Sequence, residues 1–328
     1  MRRREFIALL GSAVAGSPLA VHAQQPEPIR RIVVLMGSAE TPSSRRWLTS
    51  FLHRLNELGW SERRNLSTQV QWWNDDTEQM RAWAAELIAS SPDVVVTFTN
   101  HALEVMKPIG RSVPIVFVGV GDPVGSGFVS SFAHPGSNIT GFASHDTSMG
   151  GKWLEVLKET APNISRVLVI MVPKIPVLQA MLRSAEEAAT RLAVETTAGG
   201  VHNATEIEHV IKSFAQKPNG GLVVLPYAVT VFNASTIIAL ARQYQLPDIY
   251  ALAEFVAAGG LVSYGLDWDD QFRRTAGYVD QILRGTKAAE LPVQASTKFD
   301  LTINMKTAKA LGLTVPPSLL SRADSVIE

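Results

Sequence analysis

Four strand-like apolar runs are each followed by a short segment whose residue types could bind a small molecule. The runs cover 32–36, 94–98, 114–118 and a glycine-flanked stretch that begins at 259. Hydroxyl and backbone N–H groups can hold a carboxylate, and carboxylates can hold an ammonium group. The candidate residues in these segments are Ser38, Ala39, Glu40, Thr99, Asn100, Gly119, Asp122, Tyr264 and Asp267.

Most of these candidates have a predicted role in holding a ligand. Ser38, Ala39, Thr99 and Asn100 are predicted to hold a carboxylate or similar acceptor, through hydroxyls and the free N–H groups of helix N-termini. Aromatic residues are predicted to wall off an apolar ligand body, and acidic residues to pair with an ammonium group. The aromatic candidates are Trp73, Tyr227 and Tyr264, and the acidic candidates are Asp122, Glu254 and Asp267.

Each candidate also has an interpretation in which it serves the fold alone. Ser and Thr after a strand often cap the next helix, and Asp122 fits a turn. Trp73 and the tryptophan before it point to opposite faces of a strand, so one of the two is expected in the core. Glu254 is compatible with the rim or a hinge, and Tyr264 with hinge packing.

Motifs of catalysis and metal binding are missing or misplaced. Residues 119–125 loosely fit a dinucleotide-binding loop, but they follow the fourth strand of their unit, and Pro123 and Gly127 interrupt the helix that must start there. The seven histidines lack zinc-site spacing, and the chain has no cysteine. We expect a protein that is not an enzyme and uses no cofactor or metal; an enzyme on a two-lobed scaffold is the alternative.

The elements that must position the candidates form one strand-and-helix pattern written twice. The first copy begins at Arg31 and the second at Arg166, and each alternates apolar strands with amphipathic helices. Matching positions recur at a nearly constant spacing, namely Arg31 and Arg166, Asp76 and Asn203, and Pro114 and Pro247. The pattern predicts two similar α/β lobes with parallel sheets. A single larger doubly wound domain is the alternative.

Several long motifs resemble the tryptophan/tyrosine-type ABC substrate-binding protein family. They cover residues 121–129, 135–141, 259–265, 274–285, 298–304 and 308–313. The resemblance implies a type I periplasmic-binding-protein fold: two Rossmann-like lobes, joined by a three-segment hinge, with a ligand in the cleft between them. On this analogy lobe one comprises 29–143 plus 264–286, and lobe two comprises 144–263 plus 287–328.

The start of the chain predicts export. Arg2, Arg3 and Arg4 precede the apolar run 7–20, which is shorter than the roughly 20 residues that span a bilayer. Small residues then predict cleavage of a signal peptide after Ala23. Residues 3–7 resemble a twin-arginine signal, with the Sec route as the alternative. The expected location is the periplasm. Beyond residue 23 no segment is apolar enough for membrane insertion, and 30 basic against 30 acidic residues give no reason to expect nucleic-acid binding.

The resemblance implies a receptor that delivers a small solute to an ABC importer. The expected solute is an amino acid, aromatic ones included, or a small organic acid, and lobe closure about the hinge would capture it. The expected partners are a cognate permease and ATPase encoded elsewhere, and the receptor is expected to be a monomer. A periplasmic sensor that reports its solute to a signalling partner is the alternative.

Overall fold

A five-stranded parallel sheet forms the first lobe of the computed structural model, which describes residues 28–73, 76–144 and 147–328. Its strands β1 to β5 are Arg30–Met36, Leu66–Trp72, Val94–Phe98, Ile115–Val120 and Ile139–Ala143, and helices α1 to α3 are Pro42–Glu57, Thr77–Ala89 and Thr99–Met106. The strand order is β2-β1-β3-β4-β5. The predicted signal peptide, residues 1–23, lies outside the described residues.

A seven-stranded sheet forms the second lobe. Its strands β6 to β12 are Arg166–Met171, Glu195–Gly200, Gly220–Val224, Asp248–Tyr250, Val262–Leu266, Phe299–Asn304 and Ser325–Ile327. Helices α4 to α12, of which α10 packs in the first lobe, are Met149–Thr160, Pro176–Leu192, Ala204–Phe214, Ala228–Phe232, Ala234–Gln243, Ala253–Ala257, Trp268–Leu283, Met305–Ala310 and Pro317–Leu320. The strand order is β12-β11-β10-β9-β8-β6-β7. Strand β11 runs antiparallel to β10, so this sheet is mostly rather than wholly parallel.

Strand β1 shows why these apolar runs become buried strands. Ile32, Val34 and Met36 pack on the face covered by α1 and α10, while Val33 and Leu35 pack on the face covered by α2 and α3. Side chains alternate across a strand, so a run that is apolar throughout needs cover on both faces. Two packed α/β lobes meet that need, and the predicted fold class is confirmed.

The chain first passes from the first lobe to the second between β5 and α4, and strand β10 and helix α10 mark its second passage. All five residues of β10 pair with β11 in the second sheet, whereas Phe272 and Ala276 of α10 pack in the first lobe. The predicted boundary between 263 and 264 therefore falls inside a strand. The strand continues through Gly265 because that residue has no side chain; a Cβ there would lie 1.8 Å from the Ala251 oxygen.

The third passage also differs from its predicted position. Ala288 and Leu291 belong to one core cluster of the first lobe and Val293 to the other, although residues from 287 onward were assigned to lobe two. Backbone hydrogen bonds join Gln294 to Gly141 and Ala143 at 2.9 Å each. The chain therefore leaves the first lobe between Gln294 and β11.

Ser296 connects all three passages. Its hydroxyl donates to the Ala143 oxygen at 2.5 Å, at the end of β5, and accepts from the amide of Gln271 in α10. Lys298, two residues later, forms a 2.6 Å ion pair with Asp267 before α10. These contacts gather the crossing segments into one hydrogen-bonded bundle, which is the hinge region of the described chain.

Asp248, the first residue of β9, carries a buried carboxyl group. It accepts from the Leu261 N–H at 2.6 Å and from the Tyr250 hydroxyl at 2.7 Å. Burial raises the pKa of Asp248 to about 6, although both hydrogen bonds act to lower it. The folded-state pKa thus lies above the value of about 4 for an unfolded chain. Its stabilising contribution is therefore complete below pH about 4 and is lost as pH rises through about 6.

We expect the stability advantage of the wild type over Asp248→Asn to shrink by about 3 kcal/mol between acidic and neutral pH. Chemical denaturation at several pH values between about 4 and about 7 measures this difference in unfolding free energy. Glu195→Gln, at an exposed position of β7, is the control and should show no such trend. An advantage that stays constant or grows with pH would contradict the raised pKa.

Candidate functional site

The carboxyl ends of β1 and β3 meet at the point where the strand order of the first sheet reverses. Ligands of open α/β sheets bind in the crevice at such points. The Gly37 N–H donates to the Phe98 oxygen at 3.0 Å, and the Thr99 hydroxyl lies 3.5 Å from the Gly37 oxygen. A Cβ on Gly37 would lie only 2.1 Å from the Thr99 hydroxyl oxygen. Glycine at 37 therefore allows Thr99 to lie directly against the end of β1.

Two polar groups beside this crevice are buried and unpaired. The Ser38 hydroxyl and the Trp73 indole N–H have no hydrogen-bond partner within residues 28–73, 76–144 and 147–328. Trp73 flanks the end of β1 on the side away from Thr99, since its backbone N–H donates to the Met36 oxygen at 2.9 Å. A buried donor without a partner costs free energy, and an acceptor group on a ligand would satisfy both.

Helix α3 presents free backbone donors to the same crevice. It begins at Thr99, and no side chain caps its first turn. The first N–H groups of a helix have no partner within the helix, and they carry its positive dipole end. Together with Ser38 and Trp73, this end is suited to a carboxylate or another anionic acceptor. Ala39 is engaged with the start of α1 instead, where its backbone oxygen accepts a hydrogen bond from the Ser44 hydroxyl at 3.2 Å.

Asn100 fixes a neighbouring loop. Its amide donates to the Gly121 oxygen at 2.9 Å and accepts from the Gly121 N–H at 2.8 Å. A Cβ on Gly121 would lie 3.5 Å from Val177 of α5, so this loop lies at the boundary between the lobes. One N–H and one lone pair of the Asn100 amide remain for a ligand. Its predicted ligand contact stays a prediction, and its observed role is to position the loop.

Three strand ends around the cleft hold strained backbone. Thr99 after β3, Asp122 after β4 and Lys174 after β6 have φ values of 79°, 44° and 64°. Non-glycine residues rarely adopt this region, and a β-branched residue such as threonine does so least readily. Such strain persists where surrounding structure enforces it, often at binding sites.

Most of the predicted acidic contacts are engaged inside the chain. Asp122 accepts from the Gly125 N–H at 2.8 Å and so stabilises a turn. Asp267 caps α10 and pairs with Lys298, and these bonds lower its pKa although burial acts to raise it. Glu40 pairs with Arg45 at 3.2 Å on the surface.

Glu254 differs from these acids. It lies half-buried in the first turn of α9, and its carboxylate forms no hydrogen bond or ion pair with the described part of the chain. Of the three predicted ammonium partners, only Glu254 therefore keeps its carboxylate available among the residues that the structure describes.

The predicted aromatic residues occupy different settings. Tyr264 stacks on Phe299 with ring centroids 5.6 Å apart, and its backbone oxygen accepts from the Trp153 indole at 2.6 Å, so it packs in the second lobe near the hinge. Gly119 lies against the Trp268 ring, which a Cβ there would approach to 2.9 Å. Both positions therefore have partners in the protein core.

Tyr227 and Trp73 face the space between the lobes. Tyr227 precedes α7 and is 42% exposed. Its pKa is raised by partial burial and by Glu104 of the first lobe. The Trp73 ring lies 5.0 Å from His101 and 5.9 Å from Phe232 of the second lobe.

His101 and Phe232 were not predicted from the sequence. His101 occupies the first turn of α3, directly after two predicted residues, and Phe232 lies five positions after Tyr227 at the end of a short helix. Their closeness to predicted positions was the available signal. Nothing in the local pattern showed that both would contact the same tryptophan.

Residues 28–73, 76–144 and 147–328 lack two kinds of feature. No helix there is both long and apolar enough to cross a membrane. No group of three histidine, aspartate or glutamate side chains there could hold a metal ion.

Comparison with known proteins places this geometry in a family. A profile described as "ABC transporter substrate binding protein" matches residues 33–327. A curated relative, "Tyrosine-binding protein" of Clostridioides difficile (strain R20291), is 22% identical over 275 residues, which are 84% of this chain and 79% of the relative.

Solved structures show the same fold. A conserved domain protein from Vibrio cholerae is 25% identical with a TM-score of 0.82, covering 90% of this chain and 99% of that one. An ABC domain in complex with L-Trp from Streptococcus pneumonia is 22% identical with a TM-score of 0.83, covering 91% and 100%. A ligand-free, open substrate-binding protein from Clostridium difficile is 21% identical with a TM-score of 0.72, covering 91% and 99%.

The family match extends over nearly all of the described residues, and it confirms the predicted family and the prediction that the protein is not an enzyme. The chain belongs to the ABC transporter substrate-binding proteins, a family of solute-binding proteins that work with a transporter.

Proposed function

We propose that this protein is the periplasmic receptor of an ABC importer and that it captures an amino acid, or a related small organic acid, in the cleft between its lobes. The observation that carries the proposal is the crevice between β1 and β3. There the buried, unpaired Ser38 hydroxyl and Trp73 indole N–H lie beside the uncapped start of α3. This donor set matches the needs of a carboxylate.

The two lobes together supply the remaining features of an amino-acid site. Glu254 keeps a half-buried carboxylate without a partner among the described residues, which suits a ligand ammonium group. Trp73 and Tyr227 offer aromatic surface for an apolar side chain. The names of two relatives support an amino acid as the class of ligand, since one is called a tyrosine-binding protein and another was solved with L-Trp.

Capture would follow from closure of the lobes about the hinge at Ser296. A ligand held by both lobes favours the closed state in proportion to its preference for that state. The closed receptor would then dock on its permease. The positively charged, apolar start of the chain supports export to the periplasm, by the twin-arginine route in our proposal.

Ligand screening by melting temperature tests this function. We expect one L-amino acid of a panel to raise the melting temperature by about 5 °C at a hundredfold excess over its Kd, because binding to the folded state alone adds about 2.7 kcal/mol. L-tryptophan and L-tyrosine are compared with tryptamine and tyramine, which lack the carboxylate. The carboxylate-free amines should give little or no shift.

The panel also contains organic acids without an ammonium group. A shift with these and not with amino acids would keep the carboxylate site and remove the role of Glu254. An absence of any shift across amino acids and organic acids, with the protein folded, would overturn the proposed function.

A further inference from the structure

An aromatic contact joins the two lobes away from the hinge. The ring of Trp73, after β2, lies 5.9 Å from the ring of Phe232, at the end of α7, with 57° between the planes. We propose that Trp73 and Phe232 form a latch, a contact made only when the lobes close, and that this latch sets the balance between open and closed receptor. The inference deepens the proposed function, since it assigns a closing residue to the same cleft.

The Trp73 half of the latch is held in place by the first lobe. Its backbone N–H donates to the Met36 oxygen at 2.9 Å. Its ring packs against His101 with centroids 5.0 Å apart and 44° between the planes, and the His101 ring lies 3.3 Å from the hydroxyl of Thr77 at the start of α2. The tryptophan is therefore positioned before the lobes meet, so little side-chain freedom is lost when the contact forms.

The Phe232 half is presented by a short helix that is fixed at its start. The buried Thr230 hydroxyl donates to the Leu225 oxygen at 2.9 Å and accepts from the Tyr227 N–H at 3.0 Å. Phe232 itself is 44% exposed. A phenylalanine held at the surface of a lobe gains from a partner on the other lobe, because contact removes apolar area from water.

A second observation brings the same helix to the first lobe. Tyr227 lies just before α7, and the pKa of its phenol is raised first by partial burial and second by the carboxylate of Glu104 on α3. Glu104 is one helical turn from His101, which backs the Trp73 ring. Helix α7 thus approaches the first lobe near both of its ends, on a surface separate from the hinge.

The contact must act through lobe closure because its two residues belong to different sheets. Opening about the hinge separates them, while each lobe keeps its own core. An aromatic pair adds a modest attraction beyond the area it buries, so its loss should change the ratio of closed to open receptor roughly three- to tenfold. A role confined to the stability of one lobe would leave that ratio unchanged.

The distance between the lobes can be measured without any ligand. The chain has no cysteine, so Glu86→Cys on α2 and Glu208→Cys on α6, both exposed, accept two nitroxide labels at defined positions. Pulsed electron–electron double resonance then gives the populations of short and long distances between the two labels. Phe232→Ala should lower the ratio of short to long distances roughly three- to tenfold. Phe232→Tyr keeps the ring and should resemble the wild type.

Val231→Ala is the matched control, since Val231 is 40% exposed on the same helix and takes no part in the ring contact. Melting temperatures of all variants should stay close together, because neither side chain is in a core. Equal distance distributions for Phe232→Ala and Val231→Ala would overturn the latch. Since the labelled protein is ligand-free, this result is independent of the ligand panel, whose failure would count against the proposed function alone.

Discussion

Replacing Gly150 by alanine is expected to lower the free energy of unfolding by about 3 kcal/mol or more. Gly150 lies in the first turn of α4, which packs closely against α5. A Cβ there would lie 1.9 Å from the Met181 oxygen and 2.7 Å from its carbonyl carbon. Both obstacles are backbone atoms, so relief requires the two helices to move apart. Chemical denaturation measures the loss.

Gly277→Ala is the matched control. Gly277 also lies within a helix, α10, but a Cβ there would meet no atom within 4 Å. Alanine is a better helix former than glycine, so this substitution should stabilise the protein by up to about 1 kcal/mol. The two substitutions add the same methyl group and are expected to act in opposite directions. Similar effects for both would contradict the close approach of α4 and α5.

Asn100→Ala is expected to weaken ligand affinity about tenfold or more. The side chain makes two hydrogen bonds to Gly121, and their loss frees the loop that lies against Val177 at the lobe boundary. Since such bonds contribute about 1 kcal/mol each, stability should fall by about 2 kcal/mol. Affinity falls as well because the loop lines the cleft. Isothermal titration with the panel member that raises the melting temperature most measures the change.

Asn138→Ala separates these two effects. Asn138 also makes two amide bonds to backbone oxygens, to Gly110 at 2.7 Å and Val113 at 2.5 Å. It lies at the amino ends of β4 and β5, at the opposite edge of the sheet from the cleft. Its loss should lower stability by a similar amount and leave affinity unchanged. Equal affinity loss in both variants would mean that stability alone explains the effect of Asn100.

Much of the fold was predictable because long apolar runs and their repetition are local signals. Residues 32–36 and 167–171 show continuous apolar character, and this indicates strands covered on both faces. The passages between lobes were harder to place. The predicted boundary after residue 263 falls inside β10, because the missing side chain of Gly265 allows the strand to pass the Ala251 oxygen, a contact that no local pattern shows.

The site was predictable as a region but not as a set of contacts. The rule that ligands bind at the carboxyl ends of parallel strands drew attention to Ser38 and Thr99, which follow β1 and β3, and their ligand contacts stay predictions. It could not tell that Asp122 and Asp267 would accept hydrogen bonds from nearby backbone N–H groups. It also gave no sign of Phe232, because a contact between lobes depends on how two separately folded halves are oriented.

The place of α10 has a consequence for the order in which the protein can acquire its structure during synthesis. The first lobe is not complete when β5 has left the ribosome, because Phe272 and Ala276 cover one face of its sheet. More than a hundred residues of the other lobe are made in between. Until α10 arrives, Ile32 and Val34 lie beneath incomplete cover, and such surfaces favour aggregation. We therefore expect the first lobe to complete its core only after α10 has been made, unlike a domain whose segments follow one another along the chain.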